Sequence, residues 1–308
     1  MTARAKVLLV LVMVVWGGSF IASRLGLDGL YPVELATVRF AIAAPLLLLM
    51  TIIVAGPRSL YVAPKDLPVL VIMALTGVSL QYIVQFVGMT YTSVTNTALL
   101  INMGTFFVII PSALFLKEKL SADNALGVLI AFIGAVIVAT RGNLSFSPKL
   151  LGDGLIVICA AMWAIYILIG NKLAGKYSVL TQLNWIFMIG FVCLVPFYLI
   201  TPHHALASYS ILSWECILYL AIFCSIIAYF VFNDGIIKIG PSKTAIYQYL
   251  EPFFAIIFAI LILGEPLAPA IVVGALFIIA GIAMADNNLK ILGFFLKPKE
   301  AEATDKDH

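Results

Sequence analysis

A chain of 308 residues that is 63% hydrophobic and only 11% charged, with a mean hydropathy of +1.12, is not a soluble domain, where about a quarter of residues carry charge. Its net charge of +3 comes from lysines and arginines at the ends of apolar runs, which gives no nucleic-acid surface. Those runs are long and unbroken, unlike the alternating segments of about ten residues in a membrane β-barrel, so the chain reads as an all-α integral membrane protein.

In chain order, Arg4 and Lys6 precede an apolar run from Val7 that passes Trp16 into Ile21-Ala22. It has the outline of a cleavable signal peptide, but its counterpart later in the chain makes it the first span. The second span covers Pro32 to Val54, the third Leu67 to Thr90, the fourth Val94 to Leu116 and the fifth Ala122 to Thr140. After a polar link the sixth covers Gly152 to Leu173, the seventh Val179 to Ile200 and the eighth Trp214 to Ile237. Lys243 to Leu263 is the ninth and Pro269 to Ala285 the tenth, with a mixed tail from Asp286 to His308. Each span has the length a bilayer demands.

The four cysteines, Cys159, Cys193, Cys216 and Cys224, fall in or beside apolar segments without a CxxC pair. The histidines (His203, His204 and His308) lie in a loop and at the C-terminus. No metal site and no cofactor is expected from such a set. There is no phosphate-binding glycine loop and no Ser/His/Asp constellation.

Orientation follows from the basic residues. With the N-terminus in the cytoplasm, the inner segments carry Arg4, Lys6, Arg58, Lys65, Lys117, Lys119, Lys172, Lys176, Lys238, Lys243, Lys290, Lys297, Lys299 and Lys306. The outer segments carry only Arg24, Arg141 and Lys149, and Arg39 lies inside the second span. Both termini are therefore expected in the cytoplasm, with 287–308 as a cytoplasmic tail and the chain crossing the cytoplasmic membrane many times.

One offset aligns the two halves. Trp16 falls on Trp163, Tyr82 on Tyr229, Gly88 on Gly235, Thr97-Ala98 on Thr244-Ala245, Glu118 on Glu265, Gly127 on Gly274 and Gly134 on Gly281, each pair 147 residues apart. Composition alone would pair leucines at random but would not put these rarer residues in one register. Each repeat (7–140 and 152–286) holds five spans, an odd number, so the second enters the membrane upside down. The expected fold is ten transmembrane helices as two inverted five-helix repeats, an architecture that lets a central site open alternately to either side.

The W-x2-S-F-x3-[RK]-x-G pattern from Trp16 to Gly26, Arg39-Phe40, Tyr229 with Gly240-Pro241-Ser242, and Leu250-Glu251-Pro252 followed by Leu263-Gly264-Glu265-x-Leu267 resemble the drug/metabolite transporter superfamily. Within it the chain is most similar to the EamA-type ten-helix exporters, over about residues 7 to 286. The resemblance implies a ten-helix fold and export or exchange of small metabolites, amino acids among them, through a central cavity. The first repeat departs from the second in having Gly104-Thr105 where the second has Glu251-Pro252, so any chemistry of that carboxylate is single.

A carboxylate in a membrane helix is costly. Eight or nine residues at about 1.5 Å each place Glu251 roughly 12 to 14 Å deep, near the centre of a core about 30 Å thick. It reads either as a proton-accepting or ammonium-binding group, or as a structural carboxyl held by backbone that Pro252 frees. Pro252 is expected to loosen the ninth span there. Arg39 could bind a substrate carboxylate, but snorkelling to the surface or pairing with Glu34 is the favoured reading.

Polar and aromatic residues at mid-span face protein or water, since lipid offers no partners. Trp16, Ser19, Gln81, Tyr82, Gln85, Asn102, Thr105, Trp163, Tyr166, Tyr229, Asn233, Gln248 and Glu251 are the candidate cavity lining, with interhelical hydrogen bonding as the alternative for each. Spans 1, 3, 4, 6, 8 and 9 carry them. Spans 5 and 10 are aliphatic and glycine-bearing, and belong at the periphery. Asp234 and Lys238 are spaced as an ion pair one turn apart. Glu118 and Glu265 sit at span ends as loop anchors.

The expected function is a secondary transporter moving a small amphipathic metabolite, such as an amino acid, outward by alternating access. Its partners are that substrate and the lipid bilayer. An intramembrane enzyme would need a nucleophile or metal ligands at depth, and the spans contain no histidine. A scaffold without transport leaves the repeat unexplained.

Overall fold

Serine and proline mark where the apolar runs become helices. Ser93, Ser178 and Ser210 each accept the backbone N–H three residues on, at 3.1, 3.1 and 3.0 Å, and so cap the helix that follows. Pro32 opens another helix at a position whose N–H would have no partner.

The computed structural model describes residues 3–104, 107–108, 126–127, 129–130, 132–134, 136–137, 148–173, 175–239, 244 and 246–285. Among them there is no β-strand. The helices are α1 (Ala3–Leu27), α2 (Pro32–Ala55), α3 (67–91), α4 (Val94–Ile101), α5 (Pro148–Gly170), α6 (Val179–Ile200), α7 (211–239), α8 (Leu250–Leu263) and α9 (Pro269–Ala285). Six are long and apolar enough to cross a membrane; α8 and α9 are shorter apolar helices. Thr105, Glu118 and the tail 287–308 lie outside the described residues.

Two helices are not uniformly α. A π turn at Leu75–Ser79 interrupts α3, and a longer π segment, Tyr219–Ile227, interrupts α7. The two fall at positions 147 residues apart. In both, a serine hydroxyl reaches the carbonyl five residues back: Ser79 to Ala74 at 3.4 Å, Ser225 to Leu220 at 2.9 Å. A widened turn frees carbonyls from the regular ladder.

The break expected at Glu251-Pro252 lies one turn earlier. A 3₁₀ turn, Ile246–Tyr249, precedes α8, which begins at Leu250. Pro252 thus occupies the first turn of the helix, where its missing N–H costs little.

Packing is set by small residues and aromatic rings. α1 lies along α8, where a Cβ on Gly17 would stand 2.7 Å from the Cβ of Phe254. α3 lies along α5, where a Cβ on Gly152 would stand 2.8 Å from the carbonyl of Gly88. α2 packs on α6 through Phe40 and Phe187, with ring centroids 5.2 Å apart. Gly134 meets α9, its would-be Cβ 2.7 Å from the Gly274 carbonyl.

Side-chain bonds tie the helix ends together. At the end where α1 begins, Asp66 pairs with Lys176 at 3.1 Å and accepts from Tyr177 at 2.8 Å. Trp185 donates to the Leu60 carbonyl there at 2.8 Å. At the other end, buried Glu34 accepts from the backbone of Tyr31 and His204 and from the Tyr209 hydroxyl, at 2.9, 2.7 and 2.8 Å. Asp153 accepts from Thr92 and Asn96, and Glu265 accepts from the N–H groups of Val94 and Thr95 at the start of α4, at 2.8 and 3.1 Å.

Candidate functional site

The bundle holds a partly open cavity between its helices, a common place for a small-molecule site in a helical bundle. α1 contributes Trp16, Ser19, Phe20 and Ser23 to its wall; α2 contributes Arg39; α3 contributes Gln81, Tyr82 and Gln85. Ile101, Asn102 and Gly104 follow from α4, Trp163 from α5, Tyr229 from α7, and Gln248 and Glu251 from the start of α8. Of the fourteen residues the sequence singles out, eleven meet here: ten of the thirteen lining candidates, together with Arg39.

Tyr166 and Asn233 stand elsewhere. They are hydrogen-bonded to each other at 3.0 Å and line a second, smaller cavity toward the end where α1 begins. Met73, Gly170, Val179 and Gln182 share that cavity. Four lining residues escape the sequence reading: Phe20, Ser23, Ile101 and Gly104. Ile101 and Gly104 were within reach, being the repeat mates of Gln248 and Glu251. Phe20 and Ile101 are apolar and give no signal of their own.

Arg39 overturns the reading favoured for it. It neither snorkels nor reaches Glu34, whose partners are Tyr31, His204 and Tyr209. It is 2% exposed, donates through Nε to the Ser225 hydroxyl at 2.8 Å and through Nη2 to the Tyr82 hydroxyl at 3.1 Å. Its guanidinium carbon also lies 4.1 Å from the Tyr82 ring centroid.

From Arg39 a directed chain of hydrogen bonds crosses the cavity wall. Guanidinium only donates, so Tyr82 oxygen accepts from it. The Tyr82 hydroxyl then donates to Tyr229 at 3.1 Å, and Tyr229 donates to the Gly77 carbonyl in the π turn at 2.8 Å. On the facing wall Trp16 Nε1 donates to the Cys224 carbonyl, inside the other π segment, at 3.1 Å. Trp16 and Trp163 meet edge to face with centroids 5.9 Å apart, and Trp163 stacks on Tyr166 at 4.8 Å.

Among the described residues, two buried polar atoms of the wall have no partner, Trp163 Nε1 and Gln81 Oε1. Glu251 is 8% exposed, and among the described residues its carboxylate takes no hydrogen bond or ion pair. Among the described residues, Arg39 and Glu251 are the only charged groups of the lining. The cavity wall therefore carries one cation and one carboxylate within an aromatic shell, with an unmet donor and an unmet acceptor buried in the wall itself. Among the described residues no group of histidine, cysteine, aspartate or glutamate is arranged to hold a metal ion.

A many-helix apolar bundle around such a cavity is the build of a membrane transport protein. The chain belongs to the EamA-like transporter family, which it matches over residues 4–140 and 150–285. It is 32% identical over 284 residues to an uncharacterized transporter of Archaeoglobus fulgidus, covering 92% of this chain and 97% of that protein. It is 26% identical over 281 residues to a "Probable terminal-alkyne amino-acid exporter" of Streptantibioticus cattleyicolor, covering 91% and 92%. A crystal structure 16% identical in sequence superposes with a TM-score of 0.70, covering 96% of this chain and all of the other, and so shares its fold.

Proposed function

We propose that this protein is a ten-helix secondary transporter of a small zwitterionic metabolite, an amino acid or a close relative, working by alternating access. Its two five-helix repeats lie inverted in the cytoplasmic membrane, both termini are cytoplasmic, and net movement is outward. The observation that carries the substrate class is the lining: Arg39 and Glu251 are the two charges of one cavity, walled by Trp16, Trp163 and Tyr229. A guanidinium suits a carboxylate and a carboxylate suits an ammonium, while the rings accept an apolar side chain. A polyanion would call for more cations than the cavity holds. The exporter of Streptantibioticus cattleyicolor, whose printed name gives an amino acid, supports the same class.

Counterflow in proteoliposomes tests this. Vesicles loaded with unlabelled amino acid should take up the labelled one transiently, and absence of counterflow across the common amino acids would end the reading. Glu251 is the proposed coupling or ammonium-binding group. Glu251→Gln keeps size and most hydrogen bonding but removes titration. If Glu251 loads protons, the variant loses proton-driven accumulation and keeps counterflow; if it holds the ammonium, it loses both. Wild-type behaviour in both assays would leave Glu251 a structural carboxyl.

A further inference from the structure

The hydrogen bonds of the cavity wall obey the repeat in an incomplete way. Trp16 and Trp163 are mates at an offset of 147, as are Tyr82 and Tyr229, and as are Gly77 and Cys224, whose carbonyls lie in the two π segments. In this structure the Cys224 carbonyl is taken by Trp16, and the Gly77 carbonyl by Tyr229. Transposing each bond by the offset gives its image: Trp163 on the Gly77 carbonyl, and Tyr82 on the Cys224 carbonyl. Neither image bond is made. Trp163 Nε1 instead stands buried without a partner among the described residues, and Tyr82 donates to Tyr229.

The packing brings the halves of one missing bond into the same neighbourhood. Trp163 stacks on Tyr166, and the ring of Tyr166 would touch a Cβ on Gly77 at 2.4 Å, so a single ring links the orphan donor to the residue of its image acceptor. The cavities show the same relation. Ser19, Phe20 and Ser23 line the large one, and their mates Tyr166, Ile167 and Gly170 line the small one.

We infer that these four aromatic residues form an exchange switch: one facing of the transporter holds Trp16 on Cys224 and Tyr229 on Gly77, and the other holds Trp163 on Gly77 and Tyr82 on Cys224. The inference rests on the alternating-access reading above. In passing between the facings the Tyr82–Tyr229 pair reverses which hydroxyl donates, the Trp16 N–H is released as that of Trp163 is engaged, and the large cavity closes as the small one opens. The count of carbonyl bonds is the same in both facings, which keeps them close in free energy, as a shuttle between two states demands. Both acceptors lie in the π segments, where the widened turn loosens the regular ladder. Trp16, Tyr82, Trp163 and Tyr229 thereby act as positioning residues for the transport cycle.

The test uses phenylalanine, which removes the donor and keeps an aromatic ring, the same ring at tyrosine and a smaller one at tryptophan. Ser23→Cys reports on the large cavity and its mate Gly170→Cys on the small one, each labelled by a membrane-impermeant maleimide from the side where its end of the bundle emerges. The native cysteines are buried or half-buried, so labelling is read as gain over the parent chain. Trp16→Phe should lower Ser23→Cys labelling and raise Gly170→Cys labelling, and Trp163→Phe should do the reverse, each by about tenfold in the ratio for one buried hydrogen bond. The double variant should return to the parent ratio. Should Trp16→Phe fail to accumulate, Tyr229→Phe removes the other bond of the same facing and shifts the ratio in the same direction. Shifts of both single variants in one direction, or no shift, would overturn the switch. Failure of Gly170→Cys to label in every background would instead count against alternating access itself.

Discussion

Arg39 shows how one residue acquires its meaning from the other half of the chain. Its Nε partner, Ser225, is 186 residues away, and its Nη2 partner, Tyr82, is 43 away. Sequence places an arginine about 10 Å into a span and stops there, because snorkelling and inward pairing differ only in helix rotation. Arg39→Lys keeps the charge and loses the planar fork that holds Ser225 while facing Tyr82. The expected outcome is a rise in KM for a zwitterionic substrate of about tenfold or more, since charged hydrogen bonds contribute about 1.5–3 kcal/mol. Transport measured across substrate concentrations, alongside a melting curve to confirm folding, checks it. An unchanged KM would remove Arg39 from substrate recognition.

Elements were legible where lipid dictates composition and illegible where one helix only modifies its own pitch. Long apolar runs announced the helices, and polar groups at mid-span announced the cavity, because neither arrangement survives in hydrocarbon otherwise. The π turn at Leu75–Ser79 left no trace, since its poor helix formers are matched by Gly17-Gly18-Ser19 of α1, which stays α-helical. The start of α8 was misjudged for a related reason: proline marks an interruption, yet the sequence does not say whether the helix bends at it or begins just before it. Glu265 was legible as an anchor but not as to its hold, which is the pair of free N–H groups opening α4. Glu265→Gln should weaken that cap by about 1 kcal/mol through loss of charge at a helix N-terminus. A lowered midpoint in thermal unfolding of the detergent-solubilised protein would register it; an unchanged midpoint would mean that the neutral amide caps equally well.

At the scale of the whole molecule, the outside of the bundle is dressed for lipid: Ile53, Ile200, Ile211 and Leu261 are all more than 70% exposed. Reporter fusions test how that bundle sits in the membrane. Fusions after Arg58, Lys119, Lys176 and Lys243 should report cytoplasm, and those after Gly142 and His204 the outer side. A cytoplasmic report at Gly142 would break the odd-numbered repeat and the inversion with it. The meeting of Trp16 with Trp163 and of Tyr82 with Tyr229 carries one more consequence. Equivalent residues of two halves touch each other only on the axis that relates them, and whatever lies on an axis occurs once, however often its parts are repeated. A cargo seat on that axis would be single even in a duplicated chain. Calorimetric titration should give a stoichiometry of one ligand per polypeptide and a hyperbolic isotherm, with no second site in the other half to cooperate with the first.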